Sequence, residues 1–142
     1  MTRVVSIGEC MIELSGREGV TWRQGYAGDT LNTLWYLRAL SAASTETDYV
    51  SAFGDDPFSR EQIAFLRANG IGVAASPTIP GRAPGLYAIT LDAKGERSFT
   101  YWRQNAAARC LADDYDALAE SLSGAGLIYF SGITLAILDE RG

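Results

Sequence analysis

The chain has 142 residues, 47% of them apolar and 20% charged, which suits one ordinary globular domain with its own core and excludes a disordered chain. Its net charge of −5 argues against a nucleic-acid backbone or an anionic membrane as partner, and no stretch approaches the roughly 20 apolar residues of a membrane span. There is no histidine, so Ser-His and Cys-His catalysis and the usual zinc sites are excluded from this sequence, and the isolated Cys10 and Cys110 read as reduced, structural thiols.

The opening "RVVSIG", 3–8, reads as a buried strand rather than the apolar core of a signal peptide, because Ser6, Glu9 and Glu13 interrupt it. The default address is therefore the cytoplasm. Residues 9–28 are broken by Gly16, Gly19, Gly25 and Gly28 and read as short strands and turns. "DTLNTLWYLRALSAAS" follows with helical spacing at Leu31, Leu34, Trp35, Leu37 and Leu40, and Asp29 or Thr30 is expected as its N-cap. "DYVSAFG", 48–54, is the next strand. "DDPFSREQIAFLRANG" is a helix with Asp56 before Pro57, a capping box from Ser59 and Gln62, and a stop at Asn69-Gly70. "GIGVAA", 70–75, follows a helix rather than a strand, so it reads as that stop and not as a dinucleotide fingerprint.

"GLYAITLDAKGERSFTYWR", 85–103, reads as a hairpin with a three-residue loop, Ala93-Lys94-Gly95. That register sets Leu91 opposite Arg97, Ile89 opposite Phe99 and Tyr87 opposite Tyr101, with Arg103 on the same face. It also sets Asp92 against Glu96, an unfavourable pair. Two readings of this face stand side by side. In the plainer one the hairpin packs on the core with its hydroxyls in water. In the sharper one it covers a small anionic ligand, with phenols orienting it and a guanidinium gripping a carboxylate. Gly28, Asp29 and Asn32 divide in the same way, between a helix start and a polyol site.

Beyond the hairpin, "DDYDALAESLSGAG" is a helix capped by Asp113 or Asp114, and "LIYFSG", 127–132, reads as a buried strand. "GITLAILDERG" reads as a last strand with Asp139 ready to cap a helix not yet begun, as if the chain were the first part of something larger with an exposed sheet edge. The alternation of strands and helices predicts an α/β fold with a parallel core.

Read together, "GECMIEL", "GYAGDTLNTLWYL", "YVSAFGDDPFS", "LYAITLDAKGERSFTYWR" and "LIYFSGITLAIL" resemble the N-terminal half of 2-keto-3-deoxygluconate kinases, among the ribokinase-like, PfkB-type sugar kinases. The resemblance covers essentially the whole chain. It implies a ribokinase-like central sheet flanked by helices, a small β-sheet lid formed from about 10–26 and 85–103, and phosphorylation of 2-keto-3-deoxygluconate to its 6-phosphate. Substrate contacts then fall on Gly28, Asp29, Thr30, Leu31 and Asn32, on Tyr87, and on Tyr101, Trp102 and Arg103. ATP and Mg²⁺ belong to the parent reaction, with their sites and the catalytic base in a C-terminal half. No base is assigned here: Asp55, Asp56, Asp113 and Asp114 read as caps, and no residue as a metal ligand. The chain alone is expected to be inactive. The partner is a small sugar acid, and pairing of lids between subunits implies a homodimer. A kinase fragment for a neutral sugar such as fructose, and a non-catalytic sugar-binding domain, are the alternatives.

Overall fold

The structure is a computed structural model that describes residues 2–73 and 75–139. Strand β1 (Arg3–Ile7) lies between β4 (Glu46–Val50) and β9 (Leu127–Tyr129), parallel to both, as a small central sheet. The alternation of β1 divides the core. Val4 and the buried Tyr49 pack with Leu31 and Leu34 of α1 (Asp29–Leu40) and Leu66 of α2 (Pro57–Ala68). Val5, Ile7 and Val50 face the other way, against Ala108 and Leu111, which belong to and follow a 3₁₀ turn at Ala107–Cys110, and against Ile137. Two apolar faces on one strand are the pattern of a parallel sheet covered on both sides.

A second sheet, in the order β3-β2-β7-β8, is built from β2 (Met11–Glu18), β3 (Thr21–Ala27), β7 (Leu86–Leu91) and β8 (Arg97–Trp102). Its β7–β8 hairpin has the expected register, Leu91 with Arg97, Ile89 with Phe99, and Tyr87 with Tyr101. Gly95 takes φ 82°, the left-handed position of the turn. The feared Asp92–Glu96 clash does not arise. The Asp92 carboxylate turns into the loop and accepts from the Lys94 and Glu96 N–H groups at 2.8 and 2.9 Å.

Several local expectations are corrected. Helix α1 is capped by Gly28, not by Asp29 or Thr30, and among the described residues no side-chain cap bonds the N–H groups of its first turn. A Cβ at Gly28 would run into the Glu9 carbonyl oxygen, so close packing excludes a Ser or Asp cap at that position. Asp56 does cap α2, accepting from the Phe58 and Ser59 N–H groups, but Ser59 and Gln62 form no capping box. Ser59 bonds Asp56 and the Gly54 N–H, while buried Gln62 donates to the Cys10 carbonyl at 2.9 Å. Asp114 caps α3 (Tyr115–Leu122), whereas Asp55 accepts from the Gly81 N–H across the short β5 (Phe53–Gly54) and β6 (Thr78–Ile79) pair. The stretch 132–137, read as a strand, is a helix, α4 (Gly132–Ile137), with a capping box from Ser131 and Thr134. Strand β9 is exposed rather than buried, and among the described strands it pairs with β1 alone.

Candidate functional site

The site forms where the second sheet meets the central one. Strand alternation puts Tyr87, Phe99 and Tyr101 on one face, and their rings gather there: Tyr87 and Tyr101 at 5.6 Å between centroids, Phe99 and Tyr101 at 6.3 Å and nearly parallel. Arg103 continues this face, with its Cζ 5.9 Å from the Tyr101 ring centre.

Two carboxylates complete the cluster. Glu13 lies directly across from Tyr87 in the β2–β7 pairing, and the Tyr87 hydroxyl donates to its Oε2. Burial pushes the Tyr87 phenol well above its ordinary range, and the bond to Glu13 adds to the rise, so it stays protonated at any working pH. With its proton committed to Glu13, the Tyr87 oxygen is free to accept from a ligand hydroxyl. Glu9 is buried, its side chain 2% exposed, and its Oε2 accepts from Arg103 Nη2. Burial raises the Glu9 carboxyl; the charges of Arg103 and Arg109 and the bond from Arg103 pull it back.

The remaining expected residues are distributed less tightly. Asp29 stands half-buried in the first turn of α1, beside Gly28. Thr30 and Leu31 point into the core, where the Thr30 hydroxyl bonds the Tyr49 hydroxyl at 2.9 Å, so only their backbones are offered to a ligand. Asn32 is exposed and lines a groove with Tyr26, Trp35, Tyr36 and Phe65. Trp102, one residue out of phase with Tyr101, lies on the opposite face beside Pro84 and Asn105. A cavity of about 550 Å³ opens nearer the turn, lined among others by Glu13, Arg23, Ile89 and Arg97; Tyr101 and Arg103 lie outside it. Among the described residues no group of three His, Cys, Asp or Glu side chains is placed to hold a metal ion.

Sequence reasoning missed Glu9 and Glu13. For Glu9 a signal was present: a lone charge inside the apolar run "SIGECMI" has to find a partner if it is buried. For Glu13 there was none, since the parallel pairing of β2 with β7 joins strands far apart in sequence.

The family model described as pfkB family carbohydrate kinase matches residues 1–141. A 2-dehydro-3-deoxygluconokinase of Haemophilus influenzae is 43% identical over 99% of this chain, and one of Dickeya dadantii is 42% identical over 96%. The chain spans a little under half of these relatives, 46% and 45% of their lengths. The crystal structure of a 2-dehydro-3-deoxygluconokinase from Thermotoga maritima superposes with a TM-score of 0.84, at 21% identity, over 99% of this chain and 44% of that one. At that identity the likeness speaks for the fold, a ribokinase-like α/β arrangement. The match along almost every residue speaks for descent: this chain belongs to the pfkB family of carbohydrate kinases.

Proposed function

We propose that this chain is the sugar-acid-binding part of an ATP-dependent 2-keto-3-deoxygluconate kinase, and that its four-stranded sheet is the lid over the sugar. The assembly of Tyr87, Tyr101 and Arg103 on one face carries this reading. A neutral sugar needs no guanidinium, whereas a 2-keto acid presents a planar carboxylate that a guanidinium fork matches. In this reading Arg103 takes the carboxylate. Tyr101 donates to an oxygen of the sugar chain, and Tyr87 accepts a hydroxyl while Glu13 holds its proton. Asp29 and Asn32, with the N–H groups of Gly28, Thr30 and Leu31, bind the far hydroxyls, and Trp102 lies outside the contact face.

The chemistry that follows is transfer of a phosphoryl group from Mg·ATP to the primary hydroxyl, which needs a base and donors for the developing charge. Those belong, in this reading, to the part of the relatives' length that this chain does not span. The lid's outer strand β8, exposed along its whole length, offers the edge through which two subunits pair as a homodimer.

The test is Arg103→Ala in the full-length kinase carrying this sequence. Losing a charge-assisted bond to an anion costs about 1.5–3 kcal/mol, so KM for the sugar acid should rise roughly 10- to 150-fold. KM for ATP should stay unchanged, and Arg103→Lys should recover part of the loss. A wild-type sugar KM in Arg103→Ala would end the reading.

A further inference from the structure

The connections between the lid sheet and the central sheet converge on one side chain. Glu9 sits in the link from β1 to β2. Gly28, which follows β3, packs so tightly on the Glu9 backbone that a Cβ there would strike its carbonyl oxygen. Gly85, which precedes β7, leaves room for Glu9 Oε1, which a side chain at 85 would displace. Arg103, which follows β8, donates to Glu9 Oε2. The start or end of every lid strand therefore lies against Glu9.

A structural pin does not need a carboxylate. An ion pair buried this way is commonly no more stabilising than apolar residues of the same volume. Here the cost is increased further, because Glu9 Oε1 is buried without a hydrogen-bond partner among the described residues. What a carboxylate does that an apolar residue cannot is fix the direction of a guanidinium. Arg103 has five N–H groups, and the bond to Glu9 occupies one of those on Nη2. Its side chain remains 24% exposed and lies beside the Tyr101 ring.

We propose that Glu9 is the positioning residue for Arg103: from beneath the lid hinge it holds the guanidinium beside the tyrosine rings, with N–H groups left over for the carboxylate of a sugar acid. This rests on the reading of Arg103 as the carboxylate ligand. Glu9 itself touches no substrate. It discriminates sugar acids from neutral sugars by keeping the fork oriented before the ligand arrives, so that little ordering is left to the moment of binding.

The experiment uses the full-length kinase carrying Glu9→Gln, Glu9→Asp, Arg103→Ala and the Glu9→Gln/Arg103→Ala pair, each confirmed folded by a thermal melt. Two substrates are compared: 2-keto-3-deoxygluconate and the analogue with its C1 carboxylate reduced to an alcohol. Glu9→Gln should raise KM for the acid about tenfold, leave KM for the alcohol and for ATP unchanged, and add nothing to Arg103→Ala in the double variant. Glu9→Asp, one methylene shorter, should move in the same direction. If Arg103→Ala raises the acid KM while Glu9→Gln and Glu9→Asp do not, Glu9 does not position it. An equal rise for the alcohol would likewise overturn the proposal, as the mark of a loosened hinge. If Arg103→Ala itself leaves the acid KM unchanged, the underlying functional reading falls first, and this inference with it.

Discussion

A carboxylate as enclosed as Glu9 has to be neutralised by a partner or by a proton, and the two alternatives separate with pH. Burial holds its carboxyl above the ordinary 4.5, against the opposing charges of Arg103 and Arg109. The folded protein therefore binds this proton more tightly than the unfolded chain does. Its contribution to stability is greatest below 4.5, falls as pH rises from there through the raised value, and stays lower beyond it. Glutamine at this position does not titrate. The melting temperature of Glu9→Gln, taken relative to the parent protein, should therefore climb over the pH range immediately above 4.5 and then level off. A difference that is flat with pH would show that Glu9 carries no such burden. Gly28 makes a contrasting point at the same scale. Its φ of 175° is extended and open to any residue, and what demands glycine is the space taken by the Glu9 carbonyl.

At the scale of elements, the hairpin was legible in the sequence and its surroundings were not. Gly95 and the alternation of Tyr87, Ile89, Phe99 and Tyr101 are local signals, and they set the register observed. Gly95→Ala should cost about 1–2 kcal/mol through backbone strain alone, since φ there is 82° and, its chain neighbours aside, no atom of the described residues lies within 4 Å of an added Cβ. Amide exchange across 86–102 should register that loss as easier local opening, and unchanged protection would argue that the loop does not hold the register. The caps of α2 and α3 were equally readable, because Asp56 and Asp114 act on N–H groups two or three residues away. The start of α1 misled because its cap is decided by Glu9, distant in sequence, and 132–137 misled because an apolar run of six fits strand or helix alike. The site divides along the same line: Tyr87, Tyr101 and Arg103 follow from one hairpin, while Glu9 and Glu13 enter through tertiary packing.

On the scale of the whole molecule, the two sheets differ in how they meet solvent. Strand β9 has the composition of a strand covered on both faces, yet Leu127 and Ile128, with Phe130 just after it, are 51%, 43% and 52% exposed, and Ile133 and Leu135 of α4 are exposed as well. Its outer edge has no neighbour among the described strands. An open, apolar edge of this kind recruits another strand or another copy. The 142-residue chain expressed alone should therefore self-associate at about 10–100 μM, seen as a sedimentation coefficient that rises with concentration. Ile128→Lys places a charge on that edge without touching the four-stranded sheet, and should return the chain to a concentration-independent monomer. Tyr129 and Phe130 would remain exposed in that variant, so a monomer would assign the association to strand pairing rather than to general stickiness. The second sheet provides the counter-test. If Ile128→Lys still associates and a lysine in place of Thr100 on β8 abolishes it, the β8 edge is the surface that pairs. A wild-type chain that stays monomeric throughout that range would mean that neither edge recruits a partner.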